Sequence, residues 1–209
     1  MDSILFWLGA LVVVSLLQPV LKLVIAAVAG KEIGARALAQ QPDRITLRRG
    51  DVTSWKKADQ PRKFAAALGT RGFQDAGVYT VAEMPGLVVQ LLAHGSDGAL
   101  AAIYEHPQAG HWFDIVSKFA DGTSITYTSA APSGLKDRPG HPVVNMRGAE
   151  PLAVLDKALA MRPRRPLAEV SAHGVVGIFE QAYADSMTYR KQVGISSGEV
   201  MKSAMRKAA

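Results

Sequence analysis

The sequence predicts an α+β fold: an N-terminal transmembrane helix, then an antiparallel meander sheet of five to six strands covered on one face by helices. Three observations predict it. Residues 4–17 carry no charge. Between residues 78 and 129, five short apolar or alternating segments are separated by Gly, Pro or Asp. The last third repeats apolar residues at helical spacing.

Residues 3–21 read SILFWLGALVVVSLLQPVL. About 18 helical residues span roughly 27 Å, close to the hydrocarbon thickness of a bilayer. Gln18, Pro19 and Lys22 interrupt the run, and residues 23–29 resume it as LVIAAVA. Lys22 either snorkels to an interface or lies within a longer helix kinked near Pro19. A signal peptide cleaved after Ala27-Val28-Ala29 calls for a positive start, whereas this chain opens Met1-Asp2-Ser3. An interfacial amphipathic helix needs a polar face, which residues 4–17 lack. A single anchor over residues 1–30 is therefore expected. Lys22, Lys31 and Arg36 follow it as membrane-interface residues. The positive-inside rule then places the rest in the cytoplasm, at the inner membrane.

The net charge of +6 is unevenly placed. Residues 31–63 hold nine Lys/Arg against four Asp/Glu, residues 64–160 six against nine, and residues 161–209 eight against four. A nucleic-acid domain would be basic throughout, so nucleic acid is not an expected partner. Basic charge beside a membrane segment reads as attraction to anionic headgroups. The chain has no cysteine, so disulfides and thiolate sites are excluded.

Residues 31–60 form a basic connector, with a helix over 32–40, a break at Pro42-Asp43 and a short strand at 45–47. Trp55 beside Lys56-Lys57 reads either as an interfacial or partner-docking aromatic or as a packed one. The globular domain covers 61–209. A helix over 61–69 has Pro61 in its first turn and pairs Phe64 with Leu68. Strands follow at 78–84, 87–94, 99–106, 111–119 and 123–129, each reversal carrying turn residues. Alternation puts Phe113, Ile115, Phe119, Ile125 and Tyr127 on an apolar face. Asp114, Lys118, Ser124, Thr126 and Thr128 fall on a wet one. A Pro/Gly loop at 130–142 leads to a sixth strand at 143–146. The C-terminal third is helical. A helix over 151–161 carries the stripe Leu152, Leu155, Leu159. A second, over 173–191, carries Val176, Phe179, Tyr183 and Met187. Ser196 and Glu199 then form a capping box.

EHPQAGHWFD, residues 105–114, gathers Glu105, His106, His111 and Asp114 near one hairpin, with His141 on a nearby loop. Imidazole and carboxylate groups are the ligands and proton carriers of metal-dependent or hydrolytic enzymes. The spacing fits no compact metal motif, and alternation sends His111 and Asp114 to opposite faces. Arg138, in the stiff segment RPGHP, is a candidate contact for a carboxylate or phosphate. No nucleophile elbow, P-loop, dinucleotide fingerprint or H-E-x-x-H occurs.

The stretch HPQAGHWFDIVSKFADGTSITYTSAAPSGLKDRPGHP, residues 106–142, with AYADSMTYR at 182–190, resembles an uncharacterised family of bacterial proteins with one membrane anchor. The resemblance implies no activity and transfers no site residue. LLQPVLK and DRITL are similar to the anchor region of membrane-bound serine-protease-like bacterial proteins, whose catalytic domain has no counterpart here. The expectation is a membrane-anchored, non-enzymatic binding or scaffold protein with a cytoplasmic α+β domain. Its partners are the lipid bilayer and, as a further candidate, another membrane protein. No cofactor or metal is expected. The alternative is a metal-dependent or hydrolytic enzyme using the His/Asp cluster between 105 and 141.

Overall fold

Beyond residue 28 the chain is α+β, built on a seven-stranded, mostly antiparallel sheet. The computed structural model describes residues 29–208. The expected anchor, Lys22 included, lies outside the described residues. Among those described, no helix is long and apolar enough to cross a membrane. Two compact units emerge. One holds Pro42–Pro132 and Asp137–Thr188; the other holds the residues up to Gln41, Ser133–Lys136, and those from Tyr189 on.

The first unit is the sheet. Strands β1 (Leu47–Arg49), β2 (Gln74–Val81), β3 (Val88–His94), β4 (Ala99–His106), β5 (Gly110–Lys118), β6 (Ser124–Thr128) and β7 (Val143–Asn145) lie side by side in chain order. All neighbours are antiparallel except β6 and β7, which run parallel. The long Pro/Gly loop explains the exception, because a parallel return cannot be made through a tight hairpin.

Strand count and extent differ from expectation. The short strand near Leu47 joins the sheet beside β2. β2 itself starts at Gln74, and the chain leaves it after Val81 through turn hydrogen bonds at Met84 and Leu87. A bulge between Asp75 and Gly77 breaks the alternation that would reveal the start of β2. Gly77 has a positive φ there, and a side chain on it would strike the Arg49 guanidinium. Arg49 Nη1 instead donates to Ala76 O (2.7 Å) and Tyr79 Oη (3.0 Å).

Both faces of the sheet are covered, which corrects the one-face expectation. On one face, α2 (Asp59–Gly69) and α3 (Pro151–Met161) pack Phe64, Leu68, Val154, Leu155 and Ala158 onto Ile103, Phe113, Ile115 and Tyr127. On the other, Val175, Val176, Phe179 and Tyr183 of α4 (Val175–Val193) pack against Tyr79, Val89, Leu91 and Ala102. The central strands explain why. β3 (VVQLLAH) and β4 (ALAAIYEH) are buried at almost every position, as sheets covered on both sides require. The buried stripe of α3 is also rotated from the leucine pattern. It runs Pro151, Val154, Leu155, Ala158.

The second unit is helical. It contains α1 over residues 29–39, the last residues of α4, and α5 (Ser197–Ala208). Gly30 and Gly34, one turn apart on α1, let its backbone approach Ser197 and Ile195. Any side chain at either position would clash there. The expected capping box forms. Ser196 N (2.9 Å) and Oγ (2.8 Å) donate to Glu199 Oε2, and Glu199 N donates back to Ser196 Oγ.

Candidate functional site

Pairing of β4 with β5 sets Glu105 directly opposite His111. Glu105 is buried, and its carboxylate accepts from Lys56 N (2.7 Å) and Lys57 N (3.0 Å). His111 Nε2 lies 3.0 Å from Glu105 Oε1, at ion-pair distance but without hydrogen-bond alignment. His111 also lines a cleft of about 760 Å³ with Lys56, Lys57, Gln60, Ser129 and Glu150. The cleft lies at the N-termini of α2 and α3, and neither helix has a side-chain cap there. Ser129 Oγ is engaged elsewhere, accepting from Phe113 N (2.9 Å) and donating to Phe113 O (3.3 Å). His111 therefore has a carboxylate partner, and the Ser129 hydroxyl in the same cleft is held by the Phe113 backbone.

Asp114 lies on the opposite face, as alternation requires. Burial lifts its carboxyl to about 6, although the Thr128 and Tyr104 hydroxyls beside it favour the charged form. Oδ1 is buried without a hydrogen-bond partner among the described residues. Tyr104 is pushed well above the usual phenol range, first by burial and then by Asp114. Its ring stacks on Trp112 at 4.7 Å. The Thr/Ser row that looked wet is thus partly a covered polar layer.

The remaining candidates are held by local structural bonds. His106 Nδ1 accepts from Gln108 N and Ala109 N (both 3.2 Å), closing the β4–β5 hairpin. Arg138 donates to His141 Nε2, so the ring proton sits on Nδ1, which donates to Ser124 Oγ (2.8 Å). Burial, then the Arg138 charge, lowers the His141 pKa. Trp55 is 8% exposed and packs inside the core rather than at an interface. The structure joins Glu105 to His111 and leaves His106, Asp114 and His141 apart. Among the described residues, no three His, Asp or Glu side chains are grouped to hold a metal ion.

A second concavity, of about 650 Å³, lies within the helical unit. Lys31 and Leu38 of α1, Lys136, and Lys191, Val193 and Ile195 around the end of α4 line it. Its floor is organised by Glu199. Burial opposes the charge on this carboxylate, but Lys136 N, Ser196 and Arg190 outweigh it and hold the pKa at about 2. Arg190 Nη1 lies 3.3 Å from Glu199 Oε1, and Nη2 donates to Lys136 O. Arg36 is exposed on α1. The capping box was legible in the sequence, whereas Lys136 and Lys191 share a concavity with Lys31 only through tertiary folding. No family model, curated protein or solved structure matches the chain.

Proposed function

We propose that this chain is a membrane-anchored, non-enzymatic binding or scaffold protein, with its α+β part on the cytoplasmic side of the inner membrane. The observation that carries the reading is the uncharged run 4–17, followed by Lys22, Lys31 and Arg36 with no intervening acid before Glu32. Apolar side chains favour hydrocarbon over water, and trailing cations favour the cytoplasmic face. The non-enzymatic part draws on the engagement of the candidate side chains. His106, His141 and Ser129 serve the backbone or neighbouring loops, and His111 is set against the Glu105 carboxylate.

A reporter fused to the C-terminus, active only in the cytoplasm, is expected to be active. Activity of an export-dependent reporter instead would overturn the topology. A second reading, a hydrolytic or metal-dependent enzyme, draws on the Glu105–His111 pair beside its cleft. Stoichiometric metal in the purified protein would favour that reading.

A further inference from the structure

Asp114 carries a carboxyl into the sheet face that α4 covers. Strand register sets it between Ala102 of β4 and Thr128 of β6, both buried. Trp112 and Val116 flank it on the same face of β5. Tyr104, Val116, Ile178 and Phe179 pack against one apolar cluster. The Tyr104 ring centre lies 4.7 Å from that of Trp112 and 6.2 Å from that of Phe179, on α4. Asp114 is partly buried as a residue, yet its Oδ1 is shut off from solvent and has no hydrogen-bond partner among the described residues.

The Tyr104 and Thr128 hydroxyls lie beside this carboxyl, and among the described residues no cation is set against it. Lys118 lies at the far end of β5. On α4, Glu180 accepts from Leu47 N and Asp185 from Gln181 Nε2 (both 2.7 Å). Arg138 donates to His141, and His106 accepts from the Gln108 and Ala109 amides. A buried anionic oxygen without a donor is costly, and two changes relieve it: uptake of a proton, or entry of water. Water reaches Oδ1 when the side chains between β5 and α4 separate.

We infer that Asp114 is a proton-operated latch on α4: the neutral acid holds the helix closed over β4–β6, and the ionised acid admits water and loosens it. Loosening uncovers Tyr104, so the proton controls access to the aromatic stack. The latch lies within the sheet unit and does not depend on the membrane anchor. Burial raises the closed-state carboxyl to about 6 from an ordinary 3.8. The closed form therefore keeps its proton longer. It is fully favoured below about pH 4 and loses ground as pH rises to about 6. With the open form titrating at its ordinary value, the opening constant rises about tenfold between pH 5 and pH 7.5.

The test is amide hydrogen exchange of the full chain in detergent at pH 5 and pH 7.5, corrected for the intrinsic exchange rate at each pH. Residues 176–186 are expected to exchange about tenfold faster at pH 7.5, while α2 and α3, on the opposite face, change by less than about twofold. Asp114→Asn and Asp114→Ala are neutral at both pH values, and each is expected to abolish the difference. Equal corrected rates at the two pH values, or an equal acceleration on both faces, would overturn the latch in the parent chain alone. A pH response that survives either substitution would overturn the assignment to Asp114.

Discussion

Glu105→Ala is expected to lower the stability of the sheet unit by about 3 kcal/mol. The carboxylate is 6% exposed, and it accepts from two successive backbone amides, Lys56 N and Lys57 N. Those amides belong to the segment that carries Trp55 into the core and then opens α2. Truncation leaves the two backbone donors without their acceptor and removes the carboxylate beside His111, in a site alanine cannot fill. Charge-assisted hydrogen bonds contribute about 1.5–3 kcal/mol each, and part of the loss is recovered by local relaxation. Glu105→Gln keeps one acceptor oxygen and is expected to cost about half as much. Thermal unfolding of the full chain in detergent measures the change. Hydrogen exchange at Lys56 and Lys57 localises it. An alanine variant within about 0.5 kcal/mol of the parent would show that the carboxylate does not organise this corner.

Asp114→Asn acts in the other direction. The folded-state carboxyl titrates at about 6 against an ordinary 3.8, with burial as the main cause. A raised carboxyl pKa means that the folded form favours the proton. At pH values well below 3.8 both folded and unfolded chains are protonated, and the site carries no penalty. Between about 4 and 6 the unfolded chain ionises first, and the fold loses stability. Above about 6 the penalty is constant at about 3 kcal/mol. Asparagine is neutral throughout, and its amide oxygen still accepts from the neighbouring hydroxyls. The variant is therefore expected to be more stable than the parent at pH 8, with the gain shrinking as pH falls and gone near pH 3. Melts at three pH values check this. A variant less stable at pH 8 would mean that Tyr104 and Thr128 require the charged acid.

Much of the fold was legible because turn chemistry is local. The hairpins linking β3, β4, β5 and β6 follow from Gly98, Gly110 and Gly122 with their neighbours, and all three glycines have positive φ. The capping box at Ser196 and the stripe Val176, Phe179, Tyr183 were legible for the same reason. What failed depended on distant partners. Alternation is plainest in β5 and β6, near one end of the sheet, where one face is more polar. The central strands β3 and β4, apolar on both faces, show that helices cover both sides. The α3 stripe was read from leucines, but its buried line includes Val154 and Ala158, where small size fits the helix close to the sheet. At the candidate site, parity placed His111 and Asp114 correctly on opposite faces. Nothing in the sequence announced the Lys56 and Lys57 amides on Glu105, or Lys136 in one concavity with Lys31, because backbone donors and tertiary neighbours leave no pattern.

The proposed function depends most on attachment of the chain to a bilayer by its opening residues. The direct measurement is its partition between pellet and supernatant after an alkaline wash of membranes. It is made for the parent and for Val12→Arg/Val13→Arg. Two arginines at mid-span cost about 5–7 kcal/mol of insertion free energy. The parent, with residues 1–28 intact, is expected to stay in the pellet and the double variant to leave it. An intact parent chain in the supernatant would contradict the account.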